Sequence, residues 1–206
     1  VDISDVVKDS GFGVFRNAIG EGGMVGAIVA PSCSDYSRQQ VKELENVVKE
    51  FGAAGLISAA VSRNEEGEEI LTSQVSKFLT DAELSGIART TGAKEGDLVL
   101  IVAGSQDIVL ESLGRLRLHL GSKLDLIPEE EMAFVWITEF PMFEFSQEEQ
   151  RLVAVHHPFT SPLEEDMDLI ETEPLNMRAN IYDLVLNGVE LGSGSIRIHR
   201  RDVQER

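Results

Sequence analysis

Apolar positions in the first 121 residues switch repeatedly between strand and helix spacing. Val25 to Ala30 is an apolar, β-branched run closed by Pro31, as expected of a strand. Ser37 and Gln40 then have the spacing of a capping box, and Val41, Leu44, Val48 and Phe51 follow at helical intervals, predicting a helix from about Ser37 to Phe51. Leu56 to Ser62 predicts the next strand, and the acidic stretch Asn64 to Glu69, with Gly67, predicts an exposed turn. A second capping box, Thr80 with Glu83, opens a helix that turns Leu84, Ile87 and Ala88 inward and ends at Gly92. Leu98 to Ala103 predicts a buried strand. Val109, Leu113, Leu116 and Leu120 lie on one helical face, so a helix should run to Gly121.

The texture then changes. Met132 to Phe140, Leu152 to His156, Tyr182 to Leu186 and Val189 to Ile198 are strand-like, with no long helical pattern between them. An antiparallel β half is therefore expected after a boundary near 121–128, where Pro128 and three glutamates interrupt the apolar pattern. Residues 158–176 carry Pro158, Pro162, Pro174 and six acidic groups, the composition of a long loop.

Composition narrows the function classes. With 42% hydrophobic and 26% charged residues, the 206-residue chain has ample material for one or two packed domains. A lone Cys33 excludes a disulfide framework and a thiolate metal cluster, and the start at Val1 shows no secretion signal, so a cytoplasmic location is expected. The net charge of −18 divides into −7 for residues 1–125 and −11 for 126–206, where all six positive residues are arginines. No basic stripe exists to displace counterions from a nucleic-acid backbone, so DNA is not an expected partner and any RNA contact must be local. No apolar run is long enough for a membrane partner. Neither a phosphate-binding Gly-x-x-x-x-Gly-Lys loop nor a dinucleotide fingerprint is present.

Two segments invite chemistry. His156 and His157 stand together where a strand meets a Pro-bearing loop; on a regular strand they would face opposite ways and could not share a metal ion. One of them packed and the other solvated is the plainer expectation. The second segment is Tyr182 to His199, in which Asn187-Gly188 between apolar runs predicts a tight hairpin. A two-residue turn would set Leu186 opposite Val189, Val185 opposite Glu190 and Leu184 opposite Leu191. Asp183 and Glu190 then share a face as diagonal neighbours, roughly 7–8 Å apart at Cα, a spacing suited to a divalent cation and phosphate oxygens. Two solvated carboxylates on an open face are the plainer alternative.

Trp136 to Glu144, His156 to Pro162 and Tyr182 to His199 together resemble bacterial-type aspartyl-tRNA synthetase, a class II aminoacyl-tRNA synthetase. Residues 1 to about 122 are similar to that family's GAD insertion domain, and 123–206 to part of its catalytic domain, which implies an α+β fold. The resemblance implies that His156 contacts the substrate aspartate, that Arg197 pairs with its side-chain carboxylate, and that Glu190 binds ATP through magnesium with Asp183 as a second acid near the metal. His157 and Ser195 match substrate-binding positions. It also implies tRNA as the acceptor and a homodimeric parent enzyme. Gly192-Ser193-Gly194 departs from the commoner triple glycine, which matters only if position 193 needs a positive φ. The anticodon-binding barrel, the motif 1 helix, and the motif 2 and motif 3 arginines have no counterpart, so the chain is expected to be an inactive excerpt of an aspartate–tRNA ligase. A non-catalytic RNA- or protein-binding module built on the GAD-like part is the alternative; a metal-dependent hydrolase using Asp183, Glu190 and His156 is weaker, because no base and water site can be specified.

Strand parity adds one expectation. Glu190 and Arg197 are an odd number of residues apart, so a regular strand would aim them at opposite faces, whereas the implied chemistry needs both in one pocket. A β-bulge within Gly192-Ser193-Gly194 is expected to restore the phase.

Overall fold

The computed structural model describes residues 1–63, 69–128 and 130–205. The chain divides into two compact units, Val1–Pro128 and Glu129–Arg206. Most of the turn expected at Asn64 to Glu69 lies outside the described residues.

In the first unit the elements run α1 (Ser4–Val7), α2 (Gly13–Gly20), β1 (Met24–Ala30), α3 (Arg38–Glu50), β2 (Ile57–Arg63), β3 (Glu69–Ser73), α4 (Asp81–Thr91), β4 (Leu98–Gly104) and α5 (Gln106–Lys123). The strands form one antiparallel sheet in the order β1-β4-β2-β3. Both capping boxes form, Ser37 with Gln40 and Thr80 with Glu83, and Gly92 closes α4 at φ 68°. The central strand β4 is apolar throughout because both its faces are covered. Val99 and Ile101 pack with Phe15, Val61 and Ile87 on one side. Leu98, Leu100 and Val102 pack with Leu44, Val48, Leu113 and Leu116 on the other.

Helix α5 crosses β1 closely. A methyl group placed on Gly26 would stand 2.7 Å from side-chain atoms of both Val109 and Leu113, so only glycine lets the helix seat at that height. Helices α1 and α2 and strand β3 carry no strong sequence signal: α1 is four residues long, and α2 lacks a side-chain cap.

The second unit holds β5 (Phe134–Pro141), β6 (Phe143–Ser146), β7 (Arg151–Ala154), β8 (Arg178–Leu186), β9 (Val189–Ser195) and the one-turn α6 (Arg201–Gln204). Strands β5, β8 and β9 make an antiparallel sheet in the order β5-β8-β9, and β6 and β7 pair separately. Its core is small, centred on Met142, Met177, Ala179 and Ile181. On the edge strand β5, Phe134, Val135, Trp136 and Ile137 are all exposed, Trp136 to 59%. The mixed helix and strand content with antiparallel sheets is the expected α+β class. Among the described residues, no helix is long and apolar enough to cross a membrane.

Candidate functional site

The hairpin β8–β9 turns at Asn187 and Gly188 with φ of 49° and 82°, the positive pair that a type I′ turn requires. The Asn187 amide is fixed from both ends: its oxygen accepts from the Ala133 amide at 2.9 Å, and its nitrogen donates to the Glu131 carbonyl at 2.7 Å. Leu186 opposes Val189 and Val185 opposes Glu190, as expected, but Leu184 opposes Gly192 rather than Leu191. Leu191 is thus the extra residue of a β-bulge, one position before the Gly-Ser-Gly segment in which the irregularity was expected. The two exposed residues Glu190 and Leu191 tolerate the lost pairing because water can take the free backbone groups.

The bulge resets the alternation. Asp183 opposes Ser193 and Ile181 opposes Ser195, so Asp183, Glu190, Ser193 and Ser195 project from one face. Ser193 adopts no positive φ, and its side chain lies on that face, so the serine carries no left-handed strain. Gly194 is different: a Cβ there would sit 2.7 Å from the Tyr182 ring, which crosses the strand on the opposite face and packs edge-on against Trp136.

Strand β9 ends at Ser195 instead of continuing to Ile198, because another segment takes over its pairing. The Ser161 amide donates to the Ile196 carbonyl, the Ile198 amide to Phe159, and Arg197 bridges to Thr160. On its other side the same segment binds β8, with the Asn180 amide donating to Ser161 and the Leu163 amide to Arg178. Residues 159–163 therefore fill the fork between β8 and the chain after β9. Part of the stretch read as a long loop is held in strand-like pairing, and Glu164–Leu169 and Pro174–Asn176 are short 3₁₀ helices.

His156 and His157 follow the end of β7 at Ala154, so the opposite-facing geometry of a regular strand does not apply to them. Both are exposed, which also corrects the expectation that one would be packed. The His156 ring packs edge-on against Phe140 at 5.1 Å. His157 Nδ1 accepts the Phe159 amide at 3.1 Å, which leaves Nε2 as the nitrogen that carries a proton in the neutral ring.

These pieces enclose one open concavity of about 460 Å³. His156, His157, Asp183, Glu190, Ser195 and Arg197 all line it, so every site residue picked from the sequence reaches one place. Arg197 is exposed, and among the described residues its guanidinium has one hydrogen-bond partner, the Thr160 hydroxyl 3.5 Å from Nη1, an arrangement able to take an incoming carboxylate. Asp183 and Glu190 are diagonal neighbours on the shared face. Two carboxylates fit magnesium, which binds through one or two protein oxygens and fills its octahedron with water and phosphate. A closed protein cage does not form: among the described residues, no group of three His, Cys, Asp or Glu side chains could hold a metal ion.

One cluster escaped sequence reading. Arg178, at the start of β8, donates from Nε and Nη2 to the two Asp166 carboxylate oxygens at 2.9 and 2.8 Å, from its backbone amide to Asp166 at 2.8 Å, from Nη1 to Glu139 and from Nη2 to Glu165. Asp166 is 5% exposed, a buried carboxylate made tolerable by this partner. Hydrogen bonds from Arg178 hold the Asp166 carboxyl below its usual range, and Asp166 and Glu139 raise the Arg178 guanidinium further. A signal was present: Arg178 is the one positive residue between Arg151 and Arg197, just after a strongly acidic stretch. Its partners come from two stretches distant from it, Glu139 on β5 and the adjacent Glu165 and Asp166, which spacing alone does not reveal.

Residues 15–113, within the first unit, match the GAD domain family. The whole chain is similar to aspartate–tRNA ligases. It is 50% identical over 206 residues to an aspartate–tRNA(Asp/Asn) ligase of Moorella thermoacetica, and 48% identical over 205 residues to an aspartate–tRNA ligase of Clostridium botulinum. An aspartate–tRNA(Asp/Asn) ligase of Natranaerobius thermophilus is 47% identical over 205 residues. All of the chain is covered in each case, and it spans 34% of each relative's length.

Proposed function

We propose that this chain is the part of an aspartate–tRNA ligase that receives the amino acid and one side of ATP. Residues 1 to about 122 form the GAD-like insertion, and 123–206 a portion of the class II catalytic domain. The observation that carries the reading is the convergence of Arg197, two histidines and two carboxylates on a single concavity, in a chain about half identical to such ligases.

Arg197 offers a planar fork that binds the aspartate side-chain carboxylate through two parallel hydrogen bonds, which asparagine cannot match in charge or geometry. His156 contacts the same amino acid, and His157 and Ser195 add polar groups at the rim. The α-carboxylate of bound aspartate attacks the α-phosphorus of ATP, pyrophosphate leaves, and the aspartyl group passes to the 3′ end of tRNA. Such a step needs in-line placement and charge neutralisation instead of a side-chain nucleophile. Glu190 and Asp183 would hold magnesium, which supplies part of that neutralisation. The parent enzyme acts as a homodimer. The present chain, whose concavity is open, positions only part of the reactants and is inactive by itself.

Aspartate-dependent exchange of pyrophosphate into ATP tests this in the complete protein. Arg197→Gln should raise the KM for aspartate by about 100-fold or more, the scale of a lost charge-assisted bidentate pair. An unchanged KM would remove Arg197 from the site.

A further inference from the structure

The candidate site leaves unexplained why a strongly acidic stretch ends in a buried ion pair so close to the pocket. Asp166 lies only six residues beyond Thr160, and both are buried, at 5% and 3% exposure, within a segment otherwise rich in exposed acids. The fork filled by residues 159–163 is closed at one end by Asp166 on Arg178 and at the other by Thr160 against Arg197. Between them run the Leu163–Arg178, Ser161–Ile196 and Asn180–Ser161 backbone bonds. A shift of this segment along β8 would move Thr160 relative to the Arg197 guanidinium, and Asp166 prevents such a shift because three donors of one residue converge on its carboxylate.

We propose that Asp166, through Arg178, and Thr160, through its hydroxyl, are positioning residues for Arg197: together they set the orientation of the guanidinium that receives the aspartate carboxylate. Thr160 lines the concavity beside Arg197, and Asp166 acts on it from the far end of the 159–163 segment. The inference rests on the reading that Arg197 binds that carboxylate. The Thr160 hydroxyl accepts from one Arg197 nitrogen, which leaves the rest of the fork for the substrate. Without that partner, the long side chain samples more rotamers and must be ordered at the moment of binding.

Pyrophosphate exchange in the complete protein separates the possibilities, using Thr160→Val, Thr160→Ser, Asp166→Asn and Arg197→Gln. Thr160→Val and Asp166→Asn should each raise the KM for aspartate about tenfold, with kcat and the KM for ATP within about twofold of the parent. Thr160→Ser, which keeps the hydroxyl, should recover the aspartate KM lost in Thr160→Val. If Arg197→Gln raises the aspartate KM while Thr160→Val and Asp166→Asn leave it unchanged, the positioning role is wrong and the site reading stands. If kcat and both KM values move together in Thr160→Val, the segment is only structural and the proposal fails. An unchanged aspartate KM in Arg197→Gln overturns the site reading, and the positioning role with it. Should Asp166→Asn fail to fold, the pair Thr160→Val and Thr160→Ser still decides.

Discussion

Single side chains in this protein show their reason only when their neighbours are known. Gly194 and Ser193 are adjacent, yet one faces the Tyr182 ring and the other the concavity. Gly194→Ala should therefore cost about 1–3 kcal/mol through overpacking, while Ser193→Gly should change stability by well under that; urea unfolding of the two variants checks the difference. Asp166 makes a pH prediction with a definite sign. Its folded pKa is depressed from the ordinary value of 3.8, so its contribution to stability is present above that value and is lost as pH falls through the folded pKa. The stability gap between the parent chain and Asp166→Asn should thus be widest near neutrality and close as pH drops below 4, which denaturant titrations across that range would reveal. A gap that widens in acid would contradict the assignment.

Secondary-structure elements were legible where local signals and packing agree. Helices α3 and α4 begin at capping boxes and present apolar residues at helical spacing, and both form there. Strand β4 was legible as a buried apolar run. The same economy of signal explains the misses: α1, α2 and β3 are short and weakly marked, and are held mainly by what they pack against. The hairpin lies between these cases. Its turn follows from Asn-Gly, and the need for a bulge follows from parity, but its site does not, because any exposed position between Glu190 and Arg197 restores the phase equally well. Deleting Leu191 should close the ladder and leave Ser193, Ser195 and Arg197 on the face of Glu190, because an even number of positions then separates Glu190 from Arg197. In the complete protein the deletion should retain aspartate-dependent exchange and the far-UV circular dichroism; loss of exchange in a folded variant would show that the bulge does more than set the phase.

Over the whole molecule the two units differ in how completely they are packed. The first has apolar clusters on both faces of its sheet, whereas the second has a small core and an edge strand with four consecutive exposed hydrophobics. Hydrogen exchange on the isolated chain should accordingly be slowest in 98–120 and faster in 178–195, since protection follows the depth of packing around the hydrogen-bonded backbone. Residues 1–128 expressed alone should unfold cooperatively in urea, with exchange in β4 unchanged. Slower exchange in β8 than in β4 would reverse this ranking. The exposed Phe134 to Ile137 strand would favour association of the isolated chain, which light scattering against concentration would detect.

Apolar periodicity, capping residues and the Asn-Gly turn act over a few residues, so they suffice to place most elements, a change of texture beyond Gly121 and the hairpin that carries Asp183 and Glu190. The motif segments supplied the remaining site residues, and those lie around one concavity. Other features depend on groups brought together from distant stretches. The bulge at Leu191, the threading of residues 159–163 between β8 and the end of β9, and the Arg178 pairing with Glu139, Glu165 and Asp166 exist only once the chain has closed on itself. The physical reason is range: turn and cap preferences are energies of neighbours along the chain, whereas a buried carboxylate or a shared face is paid for by partners that sequence order does not bring near.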